Sequence, residues 1–555
     1  MKLKNQWLKM VLLLVLALVT LVGCNNYNQE ENASGNTDGT NNEQADNDNS
    51  ESPPVTNENF NADVFNFATN QDIPHLDPHG SAANTSFRVT YMLYDRLVTY
   101  DGTSTEPQPQ LAKDWDISDD GLTYTFYLQE DATFHDGTPV TAEAVKYSYT
   151  RAIELGKSAA GIFNKVIDPE TSFEVVNDKT IKITLKKPFA PFISTLGTVF
   201  GNIINPALAE NHGDDYGEGF LAEKELGSGP YILQSWDRGE KLVLKANPDY
   251  WGEAPTMETV NVLFVSEPST ARLMLEKGEV DLLDNTMISP EVLGNMEGTE
   301  GIRIKKSTGY QIDYMPMNIE SGVLADKAVR QAIAHSINYE ALLESVYLEE
   351  AERIGGAVPA GMFGYNPDAK LYDYDLDKAK SLLEEAGYEE GEINLEIAIS
   401  ENNEVRSNTA LLLQSDLAKV GINLEIKTYA WPTFLDLVTN GEHDFGLVSW
   451  TPDYPDPDYN LWYFGHSSSK GPGFNLAFFE NSEVDALLEE ARTNTDEVLR
   501  EENYKKIQEI MAEEVPYIFV AQPNLQAPVR DWVQGYELNP MNTWYVPFHK
   551  ITKEQ

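Results

Sequence analysis

Strand-like and helix-like segments alternate along residues 63–555, and this alternation predicts an α/β protein. Hydrophobic residues make up 41 % of the chain, with 27 tyrosines, 22 phenylalanines and 9 tryptophans, enough to build a large core. No internal repeat of about 20–50 residues is apparent, which sets solenoids and propellers aside. A length of 555 suggests about two to four domains. Residues 122–128 alternate apolar and polar side chains as a half-buried strand does, and residues 180–186 repeat the pattern. Thr141 ahead of residues 143–151 reads as an N-cap followed by a helix. Residues 326–336 predict a helix because Val329, Ile333 and Ile337 fall on one face. Residues 377–386 predict another, stopped by Gly387. Residues 424–429 read as a strand and residues 445–450 as a second, more apolar one. Residues 483–492 and 497–514 are amphipathic helices, the last ending ahead of Pro516.

Cys24 is the one cysteine of the chain. Ahead of it stand Lys2, Lys4 and Lys9, an apolar run over residues 10–22, and Leu21-Val22-Gly23-Cys24. A charged start, a short apolar run and small residues before a cleavage point describe a secretory signal. The run falls short of the ~18 apolar residues a spanning helix needs. The Leu-Val-Gly-Cys end resembles the lipobox of bacterial lipoproteins. That resemblance implies that residues 1–23 are removed as a signal peptide and that Cys24, lipidated, holds the mature chain on the outer face of the plasma membrane. An ordinary signal peptide ahead of an incidental cysteine is the competing reading, and it leaves a free exported thiol. Residues 24–62 are acidic and polar with almost nothing apolar, so they are expected to form a disordered tether. The chain carries 89 acidic and 40 basic residues, and loss of the three lysines in residues 1–23 takes the net charge from −49 to −52. Such a surface repels nucleic acid and anionic headgroups.

Several chemical motifs fail on inspection. Asp373, Asp375, Asp377 and Glu384 imitate a calcium loop, but Lys378 stands where the turn needs glycine, so helix capping explains them better. Asp453, Asp456 and Asp458 are interrupted by Pro455 and Pro457. His75, Asp77 and His79 are read as a turn leading into a helix, since no further metal-ligand pattern accompanies them. There is no Gly-x-Ser-x-Gly elbow, phosphate loop or dinucleotide fingerprint. No cofactor, no metal and no enzymatic centre are therefore expected.

Several ordered segments carry a resemblance: Pro109-Gln-Leu-Ala-Lys-Asp-Trp115, Phe134-His-Asp-Gly-Thr-Pro-Val-Thr-Ala-Glu143, Gly227-Ser-Gly-Pro-Tyr231, Asn247-Pro-Asp-Tyr-Trp251, Lys277-Gly-Glu-Val-Asp281, Val329-Arg-Gln-Ala-Ile333, residues 374–388 and Trp450-Thr-Pro-Asp-Tyr-Pro-Asp-Pro457. In that order they resemble the solute-binding proteins of peptide-importing ABC transporters, bacterial solute-binding protein family 5. The resemblance implies a two-lobed periplasmic-binding-protein-like fold of type II, closing at a hinge, with an extra α/β subdomain inserted in lobe one. By position, lobe one is expected over 63–105, 225–308 and 525–555, the extra subdomain over 106–224, and lobe two over 309–524. It also implies a monomeric receptor that binds di- or oligopeptides between its lobes and hands them to a transporter permease.

Peptides of many sequences share only a backbone and charged ends. Strand-like main-chain pairing supplies affinity without reading side chains, and a carboxylate can hold the free amine. In the family that acid follows a tryptophan at a strand end, which points to Trp450 and Asp453. A turn carboxylate is the competing reading for Asp453. Ser449 and Thr451 match positions whose backbone meets the peptide in enteric relatives. Trp450, Tyr454 and Trp431 are candidate pocket walls, with burial in the core as the alternative. Leu447 stands where enteric oligopeptide binders carry an arginine. Arg406, in the polar loop 401–408, is the candidate replacement for holding a carboxylate, set against a solvated surface arginine. Three other functions stay open here: a binder of a nickel chelate or glutathione on the same scaffold, an exported hydrolase, and a sensor that binds peptide without import.

Overall fold

The computed structural model describes residues 59–80, 83–100, 102–157, 160–541 and 545–555. The signal peptide, Cys24 and the tether up to residue 58 lie outside the described residues. Contacts of the folded body begin ahead of Asp63: the Phe60 ring meets Trp532 edge-on at 5.7 Å, and Asn59 donates to the Lys277 carbonyl at 2.9 Å.

Two α/β lobes share one ten-stranded sheet. In the first lobe Val64–Thr69 runs parallel to Thr259–Phe264 and to Leu282–Leu283. The hairpin Tyr231–Asp237 and Lys241–Ala246 extends this sheet antiparallel. The sheet then passes through the long strand Tyr517–Arg530. One half of that strand pairs with Ile302–Thr308, from Ile302 opposite Arg530 to Thr308 opposite Asn524. The other half pairs with Ile312–Pro316 in the second lobe, down to Pro316 opposite Tyr517. The second lobe adds a parallel sheet of Asn423–Tyr429, Asn394–Ser400 and Phe445–Gly446, with Glu404–Ala418 as the crossover helix between the first two. The extra subdomain is an antiparallel sheet in the order Ala112–Ile117, Thr123–Leu128, Thr180–Thr184, Phe173–Asn177, with the helix Ala142–Leu155 beside it.

Local signals account for most elements. Tyr124, Phe126 and Leu128 turn one face of their strand into the core, as do Ile181 and Ile183. Thr141 accepts from the Ala144 amide, and its helix runs past Arg151 to Leu155 because Ala152 and Ile153 prolong the buried face. Asp326 caps Lys327–Ser336, and Val329, Ile333 and Ile337 are buried together. Asp375, from the imitation calcium loop, caps Leu376–Glu385 through the Lys378 amide. Asp77 sits in a turn, as expected, but is buried and grips Arg151 through bonds of 2.9 and 2.7 Å. One expectation is corrected. Residues 445–450 do not form a single strand: Phe445 joins the parallel sheet opposite Ile397, while Ser449 joins the long sheet opposite Asp313. The Leu447 amide still bonds the Ala398 carbonyl, so the chain leaves one sheet for the other within two residues.

The Gly227-Ser-Gly-Pro turn shows why glycine is needed there. A Cβ on Gly227 would lie 1.8 Å from the Leu93 carbonyl oxygen, and one on Gly229 2.4 Å from that of Met92. Between them Ser228 donates to the buried Asp95 at 3.0 Å. Gly227→Ala is therefore expected to lower unfolding stability by about 1–3 kcal/mol through overpacking, read from urea midpoints. An unchanged midpoint would mean that the two backbones have room to move apart.

Candidate functional site

The sheet switch at Leu447 delivers Val448–Trp450 as the outermost strand of the long sheet. One edge of this strand pairs with Ile312–Pro316, and no described strand pairs with the other. Beyond Thr451 the chain turns through residues 452–456 into the helix Pro457–Gly465, which Asp456 caps by accepting from the Asp458 amide at 2.9 Å. Proline suits the first helical position, where no amide donor is needed.

Three aspartates share this loop, and their partners separate them. Asp456 takes both its oxygens to Arg500, at 2.8 and 2.7 Å, with the Tyr504 hydroxyl at 3.3 Å. Asp458 receives Arg492 as a fork, at 2.7 and 2.8 Å, and the Tyr454 hydroxyl at 3.0 Å. Asp453 makes no ion pair among the described residues; its hydrogen-bond partner there is the Tyr459 hydroxyl, which donates at 2.7 Å. Its carboxylate opens into a cavity of about 280 Å³ walled by Phe189, Tyr454, Tyr459, Tyr463 and Arg492. Solvent reaches the group inside the cavity while protein encloses it from behind. That enclosure raises its pKa, and the Tyr459 hydrogen bond offsets only part of the rise. A carboxylate so placed attracts a cation, and aromatic faces around it add cation–π attraction for an ammonium.

Trp450 is half-buried, its indole NH donating to Asn460 at 3.1 Å and its ring centre within 5.7 Å of those of Tyr459, Tyr463, Phe464 and Phe474. Tyr454 is buried in the core and presents its ring to the cavity, so wall and core coincide in this residue. Trp431 is 47 % exposed at the start of the helix Trp431–Thr439, stacked on Phe434 at 5.6 Å. Thr451 is half-buried at the strand end.

Arg406 is not a solvated surface arginine. Asn403 caps Glu404–Ala418 through the Arg406 amide, and this start turns the arginine back onto the sheet. Its guanidinium donates to Ser400 at 2.6 Å and to Ser449 at 3.3 Å, and lies 5.6 Å from the Trp431 ring centre. Its Nε is buried without a hydrogen-bond partner among the described residues. Burial pulls its pKa down, and Asp313 opposes the shift. Asp313, paired with Ser449 across the ladder, is half-buried and its pKa is raised by desolvation, with hydrogen bonds from Ser449, Tyr347 and Gln311 offsetting the rise.

Tyr459, Arg492 and Asp313 escaped the sequence reading. Tyr459 is one helical turn past the cap and Arg492 lies on another helix, so spacing alone does not bring either to Asp453. The assembled groups can hold an extended zwitterion: a carboxylate at one place, a guanidinium at another, and a strand edge between them. Among the described residues no cluster of three or more His, Cys, Asp or Glu is arranged to hold a metal.

The family model described as bacterial extracellular solute-binding proteins, family 5 middle, matches residues 106–472. A probable D,D-dipeptide-binding periplasmic protein of Escherichia coli is 34 % identical over 492 residues, covering 88 % of this chain and 94 % of that protein. The dipeptide-binding protein of the same species is 30 % identical over 84 % of this chain and 90 % of its own length. Among solved structures, an ABC transporter-associated periplasmic binding protein of Helicobacter pylori in complex with the peptide STSA superposes with a TM-score of 0.73 at 31 % identity, covering 89 % of this chain and 98 % of that one.

Because the folded chain raises the pKa of Asp453, it holds that proton more tightly than the unfolded chain does. The group therefore costs no stability below its unfolded pKa, and the cost grows as pH rises through the folded value. Asp453→Asn is expected to raise the melting midpoint of the ligand-free protein at about pH 7, with the gain shrinking toward about pH 3–4. A loss at neutral pH, or a gain independent of pH, would refute the enclosed-carboxylate account.

Proposed function

The chain belongs to the bacterial extracellular solute-binding proteins of family 5, and on that premise we propose that it is a lipid-anchored receptor that captures short peptides by their free amino terminus and delivers them to an ABC-transporter permease. The observation that carries this reading is Asp453, left without a cation beside two neighbouring aspartates that each hold an arginine. A peptide ammonium supplies the missing charge through a charge-assisted hydrogen bond. The unpaired edge of Val448–Trp450 offers main-chain pairing to the backbone that follows. Arg406, with an unused Nε beside Ser449, is the group for the terminal carboxylate. A cavity of about 280 Å³ falls just below the roughly 300–1,000 Å³ typical of ligand sites, which favours short ligands. The names of the Escherichia coli relatives point the same way.

Capture by lobe closure follows the same reading. We assign lobe one to 63–105, 225–308 and 525–555, the inserted subdomain to 106–224 and lobe two to 309–524. The hinge then falls near Thr308 and Asn524, where the two crossing strands face each other. Ligand contacts that exist only in the closed form shift the population toward it. Cys24 anchors the receptor outside the cell, and the acidic segment after it spaces the body from the membrane.

Calorimetry with a panel of L,L- and D,D-dipeptides tests the reading. Asp453→Asn should cost ~1.5–3 kcal/mol of affinity, the range for a hydrogen bond to a charged group. N-acetylation should weaken binding to the unaltered protein by a similar amount and add little in the variant. If the variant and the acetylated peptide bind as tightly as the parent pair, Asp453 is not the amine anchor. Cys24→Ala should leave peptide binding intact and release the protein into the medium, scored by fractionation; retention on membranes would point to another anchor.

A further inference from the structure

The cavity in front of Asp453 is closed on its far side by the inserted subdomain. Phe189 meets Tyr454 edge-on at 6.4 Å, and the Ala190 amide donates to the Arg492 carbonyl at 2.8 Å, so this segment is seated directly on the aspartate loop. It brings two lysines to the cavity wall, Lys165 and Lys187. Lys165 lies 5.7 Å from the Tyr463 ring centre, and neither lysine makes an ion pair or hydrogen bond among the described residues. Both lysines are exposed at the rim of the cavity. Their neighbour Lys186, outside the cavity, does find a partner in the Asn164 carbonyl at 2.6 Å. Partial enclosure lowers the pKa of Lys165, and Arg492 and Lys187 push it the same way against Asp458. Asp453 and the lysines therefore face one space without neutralising each other.

We propose that this cavity is a two-charge subsite, in which Asp453 holds the ligand ammonium while Lys165 and Lys187 hold a carboxylate on the same amino-terminal residue, so that peptides beginning with aspartate or glutamate are preferred. The inference rests on the peptide-receptor reading above and narrows its substrate class. The main-chain carboxylate is not the anion meant, because Arg406 is assigned to it and does not line this cavity. What reaches the lysines has to branch from the residue bearing the free amine, and an acidic side chain does so. Opposite charges placed at two points of an enclosed site also discriminate in register, since a ligand shifted by one residue leaves one of them unpaired.

The test is calorimetry on the full-length protein with Glu-Ala and Gln-Ala, which match in shape and differ by one charge. Glu-Ala is expected to bind about tenfold more tightly, the scale of one well-placed charge pair in a partly enclosed site. Lys165→Gln with Lys187→Gln should bring Glu-Ala down to the Gln-Ala level and leave Gln-Ala affinity unchanged, which also shows that the variant is folded. Either single substitution should remove part of the preference, so the result does not depend on the double variant. Equal affinities in the unaltered protein, or a preference that survives the double substitution, overturns the subsite while the peptide receptor stands. Failure of the unaltered protein to bind either dipeptide overturns both.

Discussion

Backbone pairing along Tyr517–Arg530 is the constraint on which both lobes depend. One uninterrupted strand of 14 residues belongs to the sheet of the first lobe at its end and to that of the second at its start. Its antiparallel partner crosses beside it in two pieces, Ile302–Thr308 and Ile312–Pro316. The gap between these pieces would leave backbone groups without ladder partners in a buried place, where each costs free energy. Gln522, fully buried, fills part of it by donating to the Gly309 carbonyl at 2.7 Å and accepting from the Ala360 amide at 2.8 Å. The lobes are thus tied by two strands yet relieved of a rigid ladder at one place, and a register shift between Asp313 and Tyr314 follows directly after it.

The loop after Trp450 hangs from this frame. Val448–Trp450 is held at the sheet edge by the same Ile312–Pro316 segment that leaves the crossing, so the loop after it sits one strand away from the crossing strands. Arg492 and Arg500, on the helices Ser482–Thr493 and Glu497–Glu514, clamp Asp458 and Asp456 and fix the loop from below. Buried ion pairs of this kind contribute little net stability, since desolvation offsets attraction, but they define geometry. Their effect here is to leave one carboxylate of the three unpaired and held in position.

Regular elements were legible wherever the signal was local. The period of Val329, Ile333 and Ile337, the caps at Thr141 and Asp375, and the alternation around Phe126 need only neighbours in sequence to form. Residues 445–450 read as one strand because six apolar-leaning residues look alike whichever sheet receives them. Arg406 read as surface because its loop is polar; Asn403 starts a helix there and swings the guanidinium onto Ser400 and Ser449. The three aspartates that follow Trp450 are chemically identical on paper. They are told apart by arginines some 34 and 44 residues downstream, a separation at which pairing leaves no spacing rule.

By itself the sequence determined the α/β class, the order of the segments, the strongly acidic character and the short list that contained Asp453, because composition, periodicity and motif order are properties of the chain alone. Only the tertiary structure decided which aspartate stays free, that Val448–Trp450 is an edge strand, and that Lys165 and Lys187 face the same cavity. Those facts depend on which side chains, distant in sequence, fold against one shared volume. Burial and pairing in that volume fix each charge, and neither can be read from the residues next to it.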